Sequence, residues 1–141
     1  MENDTGDTLP FEKMVADHMD AGFLENIADM IRQDKNHFSL IPFLISDQRQ
    51  RVRIGAVALV ETFLPGHRPE ISGLIPQIAL ALKGPDAAAR ADAAYMLSVI
   101  GDPGAIPYLK EALSDGHMAV RESAAEAIRD LLGGGKPLNL K

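Results

Sequence analysis

Leu82-Lys83-Gly84-Pro85-Asp86-Ala87-Ala88-Ala89-Arg90 and Leu113-Ser114-Asp115-Gly116-His117-Met118-Ala119-Val120-Arg121 align without a gap at a shift of 31 residues. The same shift carries Ala93-Ala94 onto Ala124-Ala125 and Leu97 onto Ile128. It also carries Leu74-Ile75-Pro76 onto Ala105-Ile106-Pro107. A fixed period in this range marks stacked supersecondary units, each of which can bury its apolar face only against its neighbours. The period therefore decides the architecture, and it assigns most of the eye-catching residues to packing.

The pattern within each period is helical. Phe11, Met14, Val15 and His18 follow helical spacing behind Pro10, which suits a first helical position. Phe23, Leu24, Ile27, Met30 and Ile31 form a second apolar stripe after Gly22. Beyond it, short and long helices alternate: 38–45, 50–63, 71–82, 87–100, 103–113 and 118–132. Residues 84–86, 101–104 and 115–116 supply the turn residues between them. Asp102 is expected to cap a helix with Pro103 at its first position, and Gly101 to close the helix before. Pro42, Pro76 and Pro107 each follow an Ile in a short helix and read as structural markers. The expected fold is an all-α solenoid of seven or eight antiparallel paired helices. Residues 10–36 form its N-terminal cap and 37–132 its repeats. Residues 1–9 are an acidic segment expected to be disordered, and 133–141 a Gly-rich tail in which Leu138 and Leu140 could cover the open end.

Composition narrows the functional classes. The 141-residue chain has no Cys and no Trp, which excludes disulfides and thiolate metal sites. Residues 1–36 hold nine acids against three bases, whereas 37–141 hold eleven of each, so the whole net charge of −6 sits at the N-terminal end. That fits a solubilising cap, or an acidic surface for a basic partner. The opening MENDTGDTLPFE has neither a basic nor an apolar leader region, and no apolar run reaches membrane-spanning length. A cytoplasmic location is the expectation.

Two linked frames carry a family likeness. They are Asp115-x-x-x-x-Val120-Arg121-x-x-Ala124-Ala125-x-Ala127-Ile128 and Gly101-Asp102-Pro103-x-Ala105-Ile106-Pro107-x-Leu109-x-x-Ala112-Leu113. Both resemble HEAT repeats, specifically the HEAT-like subtype named after phycobilisome bilin lyases. The resemblance implies a ladder between units in which an Asp bonds the backbone or an Arg of a neighbouring unit, here with Asp47, Arg53, Arg90, Asp115 and Arg121. The pairs Asp47/Arg53 and Asp115/Arg121 are expected to be kept. Gly84 stands where the middle unit should have its Asp, so Arg90 must use Asp86 or go without. Residues 64–69 lengthen the first full unit by six residues and are expected to form a turn. The last unit is expected to possess only its first helix.

No catalytic constellation emerges. His18, His37, His67 and His117 do not share a helical turn with one another, and none precedes a Glu, unlike the His-Glu pairs of iron-binding HEAT-repeat hydroxylases. His67 and His117 fall in expected turns and should be exposed. Asp17-His18-Met19-Asp20 does not place its ligands on one face. Gly133-Gly134-Gly135-Lys136 lacks the spacing and the Ser/Thr of a phosphate loop. Arg49, Arg51 and Arg53 form the densest basic run, but nucleic-acid binding needs a broader basic face than this acidic protein offers. No cofactor and no metal are expected.

The remaining candidates are the residues beside each repeat proline, on short helices that the resemblance assigns to the concave face: Phe43, Gln77, Leu80, Tyr108, Lys110 and Glu111. Together they would make an apolar groove rimmed by charge and suited to a protein or peptide. The expected function is a non-enzymatic interaction module, a small scaffold or adaptor. Bilin lyase-like chromophore handling is the alternative implied by the subtype. A homodimer through the last helix is a further expectation.

Overall fold

The computed structural model describes residues 10–133. Eight α-helices follow one another: α1 (Pro10–Asp20), α2 (Leu24–Gln33), α3 (Leu40–Ile45), α4 (Gln50–Ser72), α5 (Ile75–Leu80), α6 (Ala87–Ile100), α7 (Ile106–Ala112) and α8 (Met118–Leu131). Short 3₁₀ turns at Lys35–Ser39, Ala81–Lys83 and Pro103–Ala105 lead into or out of the short helices. This is the all-α solenoid that the period predicts.

Local chemistry sets the boundaries. Gly22, at φ 99°, closes α1, and the Phe23 N–H donates back to the His18 carbonyl at 3.1 Å. A left-handed residue followed by this six-to-one bond ends a helix by satisfying a carbonyl that would otherwise lack a donor. Asp86 accepts from the Ala89 N–H at 3.1 Å to start α6, and Gly101 ends it at φ 78°. Asp102 accepts from the Gly104 N–H at 2.8 Å, the cap expected from sequence.

The helices pair as α1/α2, α3/α4, α5/α6 and α7/α8, and the pairs stack. The long helices α1, α4, α6 and α8 form one layer, and α3, α5 and α7 the other. The core between them is aliphatic: Ile41, Leu44, Leu59, Ile78, Leu97, Ile100 and Leu109 are fully buried. Each such side chain contributes roughly 1.5–3 kcal/mol by leaving water. Ala93 and Ala94 on α6, and Ala124 and Ala127 on α8, are also buried. Their small size lets α6 and α8 approach along most of their length, and the Ser123 hydroxyl donates across to the Ala91 carbonyl at 3.0 Å. In contrast, α5 and α7 barely touch.

Three expectations change. Residues 64–69 hold the expected break, but narrowed to a kink at one residue. α4 runs through Pro65 and breaks only at His67 (φ −139°, ψ 36°) before resuming to Ser72. Buried Phe63 stacks edge-on against Phe38 with centroids 5.3 Å apart, and this anchoring carries the helix past the one N–H that Pro65 lacks. His67 is not simply exposed, because its ring sits 5.3 Å from Phe38 and 5.9 Å from Phe63. The last helix is not unpaired either. α8 packs on both α6 and α7 and buries Val120, Ala124 and Ala127. The acidic segment 1–9, with Leu138 and Leu140, lies outside the described residues, as does all of the 133–141 tail except Gly133.

Candidate functional site

The Asp–Arg ladder runs between units, and backbone carbonyls are among its acceptors. Arg53, Arg90 and Arg121 each donate through Nη1 to the carbonyl oxygen six residues back: Asp47 at 2.9 Å, Gly84 at 2.9 Å and Asp115 at 2.8 Å. The shared acceptor is backbone, which explains why Gly84 can replace Asp at that position. The carboxylate of Asp115 reaches the preceding unit instead, where Arg90 grips it with Nε at 2.8 Å and Nη2 at 3.1 Å. Asp115 therefore serves Arg90 by its side chain and Arg121 by its carbonyl, and Asp86 is not Arg90's partner. Arg53 lacks the equivalent carboxylate because position 84 is Gly. Its Nε donates to Asp92 at 2.7 Å, with Asp86 3.8 Å away.

Asp47 is taken by Arg49 rather than Arg53. The Arg49 backbone N–H, Nε and Nη2 donate to it at 2.8, 3.0 and 3.1 Å. Arg49 also donates to Asp17 on α1 at 2.9 Å, tying the cap to the first repeat. These pairs shift their acids predictably. The Arg90 hydrogen bond, helped by the His117 N–H, holds the Asp115 carboxyl below the ordinary range. Burial pushes Asp47 up, but the Arg49 bonds override it and leave the carboxyl lowered. Lys13 and then Arg49 lower Asp17. Of the basic run, Arg49 is thus engaged with acids, Arg53 is buried at 4% exposure, and only Arg51 faces solvent freely. The densest basic stretch is not a basic patch.

The proposed partner-binding residues divide into three groups. Tyr108 and Glu111 line a cleft of about 340 Å³ between the splayed α5 and α7, together with Ala79, Leu82, Lys83 and the Arg90–Asp115 pair. Lys83 and Glu111 bridge its rim at 3.1 Å. Gln77, Leu80 and Lys110 are exposed on the same layer without lining that cleft, Leu80 at 70%. Phe43 is half-buried against the core and does not line that cleft.

A second surface escaped the sequence reading. On the long-helix layer, Ile54 and Tyr95 are more than half exposed. Tyr95 is shared by two clefts. One, of about 300 Å³, lies against Ile54, Val57, Ala58 and Glu61 of α4. The other, of about 180 Å³, lies against Ser123, Glu126 and Asp130 of α8. The signal was present in the repeat alignment: Tyr95 corresponds to Glu126 at the 31-residue shift. The repeat therefore fixes a position there without fixing its residue.

Among the described residues no group of three or more His, Cys, Asp or Glu is arranged to hold a metal ion. His117 accepts from the Ala119 N–H at 3.2 Å as the cap of α8, and His18 stacks on Phe23. No helix among the described residues is long and apolar enough to cross a membrane. A family model described as HEAT repeats matches residues 39–129. No curated protein and no solved structure gives a match.

Proposed function

Because the chain belongs to the HEAT-repeat family, whose repeats commonly serve as protein-interaction scaffolds, we propose that it is a non-enzymatic scaffold binding a protein partner on its short-helix face. The observation that carries this reading is the α5–α7 cleft. Tyr108 stands at its wall and Leu80 nearby, both large apolar side chains left in water. Aromatic anchors beside a pocket with a charged rim suit a peptide segment, since such residues supply most of the energy of protein interfaces. Leu80, Tyr108, Glu111 and Lys110 are the contacts we assign, with Gln77 at the edge. A cytoplasmic scaffold is the setting in which this reading fits best.

A photo-crosslinking amino acid at position 108 should capture a partner, and purified partner should bind wild-type protein. Leu80→Ser with Tyr108→Ser should weaken that binding about tenfold or more. Equal binding by the double variant would reject the site. No observation in the structure favours chromophore handling over protein binding.

A further inference from the structure

We propose that the long-helix face around Tyr95 is a separate docking groove for a cationic amphipathic peptide segment. It lies on the other layer from the α5–α7 cleft, so it goes beyond the scaffold reading above and gives one partner its chemistry.

Tyr95 forms a wall common to both clefts, which flank it along the long-helix face. Its floor is apolar, made by Ile54, Val57, Ala58 and Tyr95, and Ile54 and Tyr95 are 59% and 51% exposed. Isolated exposed apolar residues are ordinary, but two large ones facing a shared depression offer an anchor for an apolar side chain. The charges around that floor share one sign. Glu61, Asp92, Glu126 and Asp130 line the two clefts, against a single base, Arg53. Arg53 is buried at 4% exposure, and its guanidinium is spent on Asp92 and on the Asp47 and Gln48 carbonyls. Among the described residues the Asp130 carboxylate accepts only from the Ser98 hydroxyl, at 3.2 Å. Glu61 and Glu126 have no ion-pair partner among the described residues. Three carboxylates are thus left to face the groove, one on α4 and two on α8, on either side of Tyr95.

This arrangement is the complement of a segment with apolar side chains on one side and Lys or Arg on the flanks. A neutral apolar peptide would leave the carboxylates unrewarded, and an acidic one would be repelled. A nucleic acid is excluded by the same sign of charge.

The test uses the full chain and a fluorescein-labelled 14-residue peptide of Leu and Lys with helical spacing. Two peptides serve as controls: one with Glu for every Lys, and one with the Leu–Lys order scrambled. The Leu–Lys peptide should bind, weaken as salt screens the charges, and bind better than either control. Tyr95→Ala should weaken it about tenfold, as loss of a central aromatic anchor does. Glu61→Lys with Glu126→Lys should do at least as much. Glu25→Gln with Asp29→Asn, on the acidic cap, should change binding less than twofold. Circular dichroism melts verify that each variant is folded, and Tyr95→Phe serves as a second variant that should retain binding.

Equal affinity for the scrambled peptide, no binding of the Leu–Lys peptide, or loss of binding in the cap variant rather than the groove variants would each overturn the proposal. The α5–α7 cleft is tested separately by crosslinking at position 108, so failure of one surface is distinguishable from failure of the other.

Discussion

Met19 and Gly55 offer a direct measurement of how tightly the cap helix α1 is seated on the first repeat. Met19 is 2% exposed, and its side chain occupies the place that a β-carbon on Gly55 would need, with Sδ, Cγ and Cε all in collision. Gly55→Ala therefore forces a buried methionine out of its position, an overpacking cost of about 1–3 kcal/mol. Alanine recovers about 1 kcal/mol of helix propensity, so the single variant alone gives an ambiguous number. Met19→Ala alone leaves a cavity and costs about 2–5 kcal/mol. The double variant resolves the ambiguity. The propensity gain occurs with or without Met19 and cancels in the cycle, whereas the collision exists only when Met19 is present. The double variant should then be about 1–3 kcal/mol more stable than the sum of the single variants requires. Urea unfolding followed by circular dichroism supplies the four stabilities. Additivity to within about 0.5 kcal/mol would show that α1 does not press Met19 onto Gly55, and the packing of the cap described above would be wrong.

The ladder yields two further predictions. Arg53→Met keeps the buried stem but strands the Asp47 and Gln48 carbonyls and the Asp92 carboxylate, so it should cost about 2–4 kcal/mol in a urea titration. Arg90→Gln should raise the Asp115 carboxyl toward its ordinary value, as seen by carboxyl-carbon NMR titration. Because the folded pKa of Asp115 is depressed, its contribution to stability is present above the unfolded value of about 4 and is lost as pH falls through the lower folded value. Wild type should therefore lose stability below about pH 4 more steeply than Arg90→Gln. Parallel acid melts of the two proteins would contradict the Arg90–Asp115 grip.

The fold was legible because repetition amplifies weak local signals. A single Asp-Gly turn or Ile-Pro step says little, but the same elements recurring at one shift fix helix type, order and pairing, and the bounds of α6 at Ala87–Ile100 followed directly. Reading failed where repetition stopped. Leu64-Pro65-Gly66-His67-Arg68-Pro69 has the composition of a turn, and local propensity favours one. What keeps it helical on either side of His67 is tertiary: Phe38 against Phe63 and His67, and Arg68 reaching over to donate to the Ile100 carbonyl at 2.8 Å. That last bond satisfies an acceptor at the end of α6, so the insertion also finishes the neighbouring helix.

The ladder and the Tyr95 groove show two different limits of the repeat frame. In the ladder, the Arg six residues after Asp47 or Asp115 meets that residue's carbonyl, while the carboxylates part ways, Asp115 to Arg90 of the unit before and Asp47 to Arg49. Spacing fixed the participants and left the direction of the bond open. In the groove, the repeat frame directed attention to positions that recur, whereas a binding surface must vary among units that otherwise match. Tyr95 and Glu126 occupy one repeat position with unlike side chains, so the place where this chain departs from its own period is where a partner could tell one unit from the next. The same logic separates Leu80 from Glu111 on the other layer, since they too are one repeat position 31 residues apart. Both candidate surfaces thus consist of exposed positions that the period aligns but does not make alike. In a fold whose conserved geometry is consumed by packing, that mismatch is the local signal of specificity.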